Sequence, residues 1–328
     1  MIVFFDLPLD QLQDYRPQVA EPKDFDHFWK ETLEQNPFDP NSVVIEPIDR
    51  GFADIEVSDV TFGGYGNAPI KAWLLRPASA SSSSPIVVHY VGYGGGRGLP
   101  EEHLFWPSRG VPVLVMDTRG QGGNHGTGGA TRDPEGGGPA VVGPMTSGIE
   151  DPYGYYYRRV FTDAHHAVEV AAGLPDIDPK RIAVIGGSQG GAMAMAASAL
   201  NPRVAMAMVD VPFLCYFERA VGLASQGPYQ DVVTFLSVRR DLVEKVFNTL
   251  SYFDGVSMAK RATCDAMFST GLMDVVCPPS TVFAAKNQWG GDATIKVYPY
   301  NSHEGGSTYQ LCRQGDWLTS RWLGPSEE

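Results

Sequence analysis

The stretch from Arg181 to Ala196, RIAVIGGSQGGAMAMA, constrains the chain more than any other. An apolar run reads as a buried strand, the glycines around Ser188 as a tight turn, and the Ala/Met run that follows as a helix. Gly186-x-Ser188-x-Gly190 therefore falls on a strand-to-helix turn, the context in which GxSxG forms a nucleophile elbow. A serine held on such a strained turn needs neighbours without side chains, so that strand and helix pack closely while Oγ points into the cleft. The helix N-terminus beside it favours negative charge. Other glycine-rich readings fail: a dinucleotide fingerprint needs glycine where Ser188 stands, and a phosphate loop needs Lys after Gly191, where Ala192 follows.

The same alternation runs through most of the chain. Short apolar runs at Ile86 to Tyr90, Val111 to Met116, Ile182 to Ile185, Val204 to Val209, Ala266 to Thr270 and Ile295 to Tyr298 read as strands. Amphipathic stretches at Thr162 to Ala172, Gly190 to Leu200 and Pro279 to Trp289 read as helices. Continuous apolar strands separated by helices predict an α/β chain with a mostly parallel twisted sheet covered on both faces. Ahead of it, residues 55 to 63 and 69 to 76 alternate apolar and polar around Gly63 to Asn67, predicting an antiparallel hairpin. Residues 1 to 45 are expected to form an N-terminal helical arm, with Phe25, Phe28, Trp29 and Leu33 at helical spacing. A helical insertion is expected from residue 213 to 259, and a Gly/Pro-rich loop from Gly120 to Gly148; both are candidate walls of a site. The serine run 79 to 84 reads as an exposed loop. The 328 residues thus make a single domain, 1 to 328, rather than two.

Charge narrows the partners. With 25 Lys and Arg against 38 Asp and Glu, the net charge of -13 argues against nucleic acid and anionic membranes, which reward positive charge. No run approaches the roughly 20 apolar residues of a membrane span, and Asp6, Asp10 and Asp14 spoil the start as a signal peptide. Cys215, Cys264, Cys277 and Cys312 lack a CxxC pair and are expected to be reduced, mostly buried thiols. The expected location is cytoplasmic.

A serine nucleophile on this fold is followed in the chain by its acid and then its histidine. Of the seven histidines only His303 follows Ser188, just after the last strand run, which makes it the candidate base. His165 and His166 lie within a helix and read as structural. The acid belongs after a strand between Ser188 and His303: Asp274 fits, in a loop leading into a helix, and Asp210 is the runner-up. Glu304 adjoins His303 along the backbone and cannot reach it. An oxyanion needs two fixed N–H donors. Gln189, following the serine, supplies one, and Tyr93, in the glycine-rich loop after Ile86 to Tyr90, is the choice for the other.

Three motifs together, Arg119-Gly120-Gln121, Gly186-Gly187-Ser188-Gln189-Gly190 and His303-Glu304, resemble carbohydrate esterase family seven, the acetyl xylan esterase and cephalosporin C deacetylase group of α/β-hydrolases. The similarity continues through Gly92 to Gly98, Tyr155 to Asp163 and Asp210 to Cys215. The resemblance implies a serine esterase that removes acetyl groups from acetylated xylo-oligosaccharides and from cephalosporin C. It implies Ser188 as nucleophile, His303 as base, Asp274 as acid, and the Tyr93 and Gln189 amides as oxyanion donors, with no cofactor and no metal. It also implies a homohexamer whose sites face an internal cavity, with Tyr93, Phe213 and Pro228 narrowing the acyl pocket. Arg119 and Gln121 are expected to be scaffold, the Arg bonded to loop carbonyls. The alternatives are a peptidase or thioesterase on the same fold, and a noncatalytic binding protein.

Overall fold

The structure is a computed structural model that describes residues 5–79, 83–135 and 143–324. Three of the six serine-run positions, and residues 136–142 of the Gly/Pro-rich loop, lie outside the described residues. The strands are β1 (Val44–Ile48), β2 (Ile55–Gly63), β3 (Pro69–Pro77), β4 (Ser84–Tyr90), β5 (Val113–Met116), β6 (Ile177–Gly187), β7 (Val204–Asp210), β8 (Asp265–Gly271) and β9 (Ala293–Tyr298). They form one sheet in the order β1-β2-β3-β5-β4-β6-β7-β8-β9. Pairing is antiparallel from β1 to β5 and parallel from β5 onward.

Both faces of the central strands are apolar, which is why their sequences read as continuous runs. Ile86, Val88 and Tyr90 of β4 join Ile182 and Val184 of β6 in one core, while Val87, Ala183 and Ile185 face the other way into a second. The larger core is covered by helices α3 (Tyr156–Gly173) and α4 (Gln189–Leu200), the smaller by Trp106 and by Leu318 of the C-terminal helix. The remaining helices are α1 (Leu9–Gln13), α2 (Phe25–Gln35), α5 (Phe217–Leu223), α6 (Tyr229–Val238), α7 (Val243–Ser251), α8 (Gly255–Ala259), α9 (Pro279–Lys286) and α10 (Ser307–Trp322). The expected insertion is thus the run α5 to α8.

The arm is only partly helical. Phe28 and Trp29 of α2 set their rings against Phe253 at 5.8 and 5.4 Å, and Trp29 Nε1 donates to the Tyr252 carbonyl at 2.9 Å. The arm therefore shares the main core with α3 and the insertion. Its end is a strand the sequence does not reveal: β1 is exposed along most of its length and carries Pro47, so no buried face imposes an apolar pattern.

Arg119 departs from expectation. Its principal partner is not a loop carbonyl but the Asp163 carboxylate on α3, contacted by Nε at 2.5 Å and Nη2 at 2.7 Å; Nη2 also reaches the Tyr65 carbonyl at 3.3 Å. Both side chains are sealed from solvent, and Asp163 takes a third donor from the Tyr65 amide at 2.8 Å. The pair ties the loop after β5 to α3 and to the β2–β3 turn. Removing one partner of a buried pair strands the other charge, at a cost of about 3–5 kcal/mol. Asp163→Asn is expected to lower unfolding stability by that order, read from urea midpoints; an unchanged midpoint would show that the pair contributes no net stability.

Candidate active site

Ser188 occupies the turn between β6 and α4 with φ 57° and ψ -119°, a left-handed backbone rarely adopted by residues with side chains. Close packing holds it there. A Cβ on Gly186 would lie 2.2 Å from the Gly190 carbonyl carbon, and one on Gly190 2.2 Å from the Tyr90 carbonyl oxygen of β4. The Ser188 amide donates to the Asp210 carbonyl at 2.9 Å, and the Ser188 carbonyl accepts from Phe213 N at 3.0 Å.

His303 comes from the loop after β9, and Asp274 from the loop after β8. The two loops are stitched together: Met273 N donates to the Asn301 carbonyl at 3.1 Å, and a Cβ on Gly271 would meet the Ser302 carbonyl oxygen at 2.3 Å. His303 Nε2 then lies 2.9 Å from Ser188 Oγ and Nδ1 lies 2.8 Å from Asp274 Oδ2. The Asp274 side chain is fully buried, and its second oxygen accepts from the Val276 and Cys277 amides at 2.8 and 2.9 Å. Asp210 is not part of this chain. Its Oδ2 accepts from Gln314 Nε2 at 2.8 Å, its Oδ1 is buried without a donor, and burial pushes its carboxyl up to about 6. Glu304 turns back to Asn301 Nδ2 and the Ser302 amide, at 2.6 and 3.0 Å.

The two expected oxyanion donors sit on the loop after β4 and on the first turn of α4. Neither the Tyr93 nor the Gln189 amide donates to another group among the described residues. A network that the residue pattern alone does not reveal joins the loops carrying them. Gln121 Oε1 accepts from the Gly94 amide at 2.7 Å, and its Nε2 donates to Gln189 Oε1 at 2.8 Å, an oxygen that also takes the Tyr157 hydroxyl at 2.9 Å. The Arg-Gly-Gln motif is the one signal that marks Gln121 in advance.

Tyr93 is held at two further points: its carbonyl by His125 Nε2 at 2.9 Å, and its hydroxyl by Asp231 of α6, to which it donates at 3.3 Å. That hydroxyl also accepts from Met145 N at 3.2 Å, and partial burial raises the Asp231 carboxyl. Phe213 has no exposed surface; its ring stands 6.2 Å from Tyr93 and 4.3 Å from Tyr229, behind them rather than in the open cleft. Pro228 is half-buried at the start of α6. His166 bonds the Gly63 and Asn36 carbonyls at 2.9 and 3.0 Å, away from Ser188. All four cysteines are unpaired, Cys215 and Cys277 buried and the other two half-buried.

A mixed sheet with helices on both faces, a strained serine at the end of a central strand, and an acid and a histidine reaching it in that chain order define an α/β-hydrolase. The comparisons are more specific. The family model for acetyl xylan esterase (AXE1) matches residues 2–321, so the chain belongs to the acetyl xylan esterase family, a family of carboxylic ester hydrolases. Among solved structures, an acetyl xylan esterase from Paenibacillus sp. R4 superposes with a TM-score of 0.89 at 36% identity, covering 96% of this chain and 99% of that one. Acetyl xylan esterase 1 from Thermoanaerobacterium sp. JW/SL YS485 gives 0.87 at 32% identity, covering 95% and 99%. The acetyl esterase Axe7A of Xylanibacter ruminicola is 28% identical over 300 residues, 88% of this chain; the chain spans 65% of that relative's length.

The two aspartates at neighbouring strand ends should behave oppositely. Asp274→Asn is expected to lower turnover by about 10³ to 10⁴, because an amide no longer fixes the imidazole tautomer; Asp210→Asn should cost far less, and the reverse order in acetate-release assays would reassign the acid. Asp210 binds its proton more tightly folded than unfolded, so stability falls as pH rises through the range from about 4 to about 6. Relative to the parent, Asp210→Asn should therefore melt at a higher temperature at pH 8 than at pH 4.

Proposed function

We propose that the protein is a serine esterase that removes acetyl groups from small acetylated substrates, including acetylated xylo-oligosaccharides and cephalosporin C, through an acetyl-enzyme on Ser188. The observation that carries the reading is the continuous hydrogen-bonded chain from Ser188 Oγ through His303 to Asp274, at 2.9 and 2.8 Å. Ser188 Oγ attacks the acetyl carbonyl carbon while its proton passes to His303 Nε2. The carbonyl oxygen becomes an oxyanion, received by the Tyr93 and Gln189 amides, and the helix α4 N-terminus favours that charge. Collapse breaks the bond to the alcohol oxygen, which departs with the proton from His303. Water then attacks the acetyl-enzyme, again giving its proton to His303, and acetate leaves with Ser188 restored. Asp274 keeps the Nδ1 proton in place and stabilises the imidazolium in both halves.

The acyl side is the better defined. Tyr93, backed by Phe213 and braced by Asp231, narrows the acyl pocket together with Pro228, which favours acetyl over longer chains. No charged side chain has to neutralise the leaving alcohol, so a sugar hydroxyl and the hydroxymethyl of a cephalosporin are both acceptable. The resemblance supports a homohexamer with sites turned to an internal cavity, which would exclude polymeric xylan, and a cytoplasmic location suits four unpaired thiols. Among the described residues no helix is long and apolar enough to cross a membrane.

Ser188→Ala is expected to reduce hydrolysis of an aryl acetate by about 10⁶, the loss typical of a removed serine nucleophile. Full activity in that variant would sink the mechanism. In a series of aryl acyl esters, acetate should be cleaved fastest, with a steep fall by butanoate. Comparable rates on amides would favour a peptidase instead.

A further inference from the structure

The loop that carries the Tyr93 amide is a tight turn, held from outside by an exposed histidine. Gly95 N donates to the Gly92 carbonyl at 3.2 Å, which closes a turn over residues 92 to 95. Gly94, at its third position, has φ 80°, whereas Tyr93 at the second has no positive φ. That is the φ pattern of a type II turn. A type I turn over the same residues differs by a half-rotation of the central peptide, Tyr93 to Gly94, and a glycine at the third position accepts both forms. What selects one of them therefore lies outside the turn.

Both ends of that central peptide are held. Gly94 N donates to Gln121 Oε1 at 2.7 Å, and the Tyr93 carbonyl lies 2.9 Å from His125 Nε2. A carbonyl only accepts, so His125 carries a proton on Nε2 and donates it. The same histidine also touches the end of the turn: a Cβ on Gly95 would lie 2.7 Å from His125 Cε1. It braces the turn at two places, the central peptide and Gly95. The direction of the Tyr93 N–H follows from these contacts. In a planar trans peptide the N–H and the carbonyl point opposite ways. Gly95 N keeps the Gly92 carbonyl turned inward, so the Tyr93 N–H of the same peptide points out of the turn, where it has no acceptor among the described residues. The bond from His125 lies at the surface, so it adds little to the stability of the core while it fixes a donor at the site.

We propose that His125 is a positioning residue of the oxyanion hole: by holding the Tyr93 carbonyl it keeps the Tyr93 amide aimed at the charge that forms next to Ser188. The proposal rests on the acetyl-enzyme reading above, and the experiment separates the two. Hydrolysis of an aryl acetate and inhibition by methylboronic acid are measured on the parent, His125→Ala and His125→Gln. The tetrahedral adduct of the boronic acid on Ser188 places an oxygen where the oxyanion forms, so its affinity reads the hole without turnover. His125→Ala is expected to lose about three- to tenfold in kcat/KM, what one neutral hydrogen bond is worth, and to bind the boronic acid more weakly by the same factor, with its urea midpoint unchanged. His125→Gln, whose Nε2 replaces the imidazole donor, should recover most of both losses. Parent-like kcat/KM in His125→Ala would overturn the proposal. So would a loss of kcat/KM with unchanged boronic acid affinity, a loss that follows a lowered urea midpoint, or one that His125→Gln does not recover. Failure of the acetyl-enzyme reading looks different: Ser188→Ala would keep hydrolysing the ester, and the parent itself would not bind the boronic acid.

Discussion

Everything at this site depends on one close approach. The backbone of Gly190 touches the Tyr90 carbonyl of the neighbouring strand, and Gly186 touches Gly190, with no room for a Cβ at either place. That contact lets α4 start immediately after β6 and leaves Ser188 at a strained turn between them, φ 57°. A strained residue persists only where its surroundings over-determine it. Here the Asp210 carbonyl and the Phe213 amide grip Ser188 on both sides of its side chain. The strained backbone thus aims the serine oxygen at His303 Nε2, 2.9 Å away.

The same contact organises the neighbouring loops. Because β4 ends beside Gly190, the loop that follows it, with Tyr93, must pass over the first turn of α4. Gln121 bridges these two segments by bonding Gly94 N and Gln189 Oε1, and Tyr156 links Gln121 to the backbone of Arg119. Arg119 is in turn locked to Asp163 on α3. Two amides that must face one developing charge are therefore fixed through a path that ends in a buried ion pair. Electrostatic preorganisation needs donors that do not move when charge appears. A desolvated pair is a poor source of net stability but a good source of geometry, because any displacement strands a charge.

Much of this was legible before any coordinates. The continuous apolar runs announced β4 to β8 because both faces of those strands are buried, and glycine spacing announced the elbow because no other residue fits the close approach. His303 followed from chain order alone. The parts that could not be read share a physical cause: they depend on contacts between residues far apart in sequence that leave no local periodicity. β1 is an exposed edge strand, so nothing forces its residues to alternate. Asp231 braces Tyr93 across 138 positions, and Arg119 finds Asp163 across 44. A carboxylate partner and a carbonyl partner look the same from the arginine's own neighbourhood in the chain.

The two aspartates at the ends of adjacent strands make the same point at finer scale. Asp210 and Asp274 both follow buried strands, both precede helical segments, and both stand between Ser188 and His303 in the chain. What separates them is the supply of donors. The turn after Asp274 aims two amides at one carboxylate oxygen and leaves the other for His303. The turn after Asp210 instead bends its carbonyl toward the Ser188 amide and sends the side chain behind the sheet, where Ser269, Gln310 and Gln314 meet it rather than a histidine. Val211 there adopts φ 38°, a conformation that β-branched residues rarely take. Of two aspartates that chain order alone leaves open, the chain thus gives one to His303 and the other to the scaffold behind the sheet.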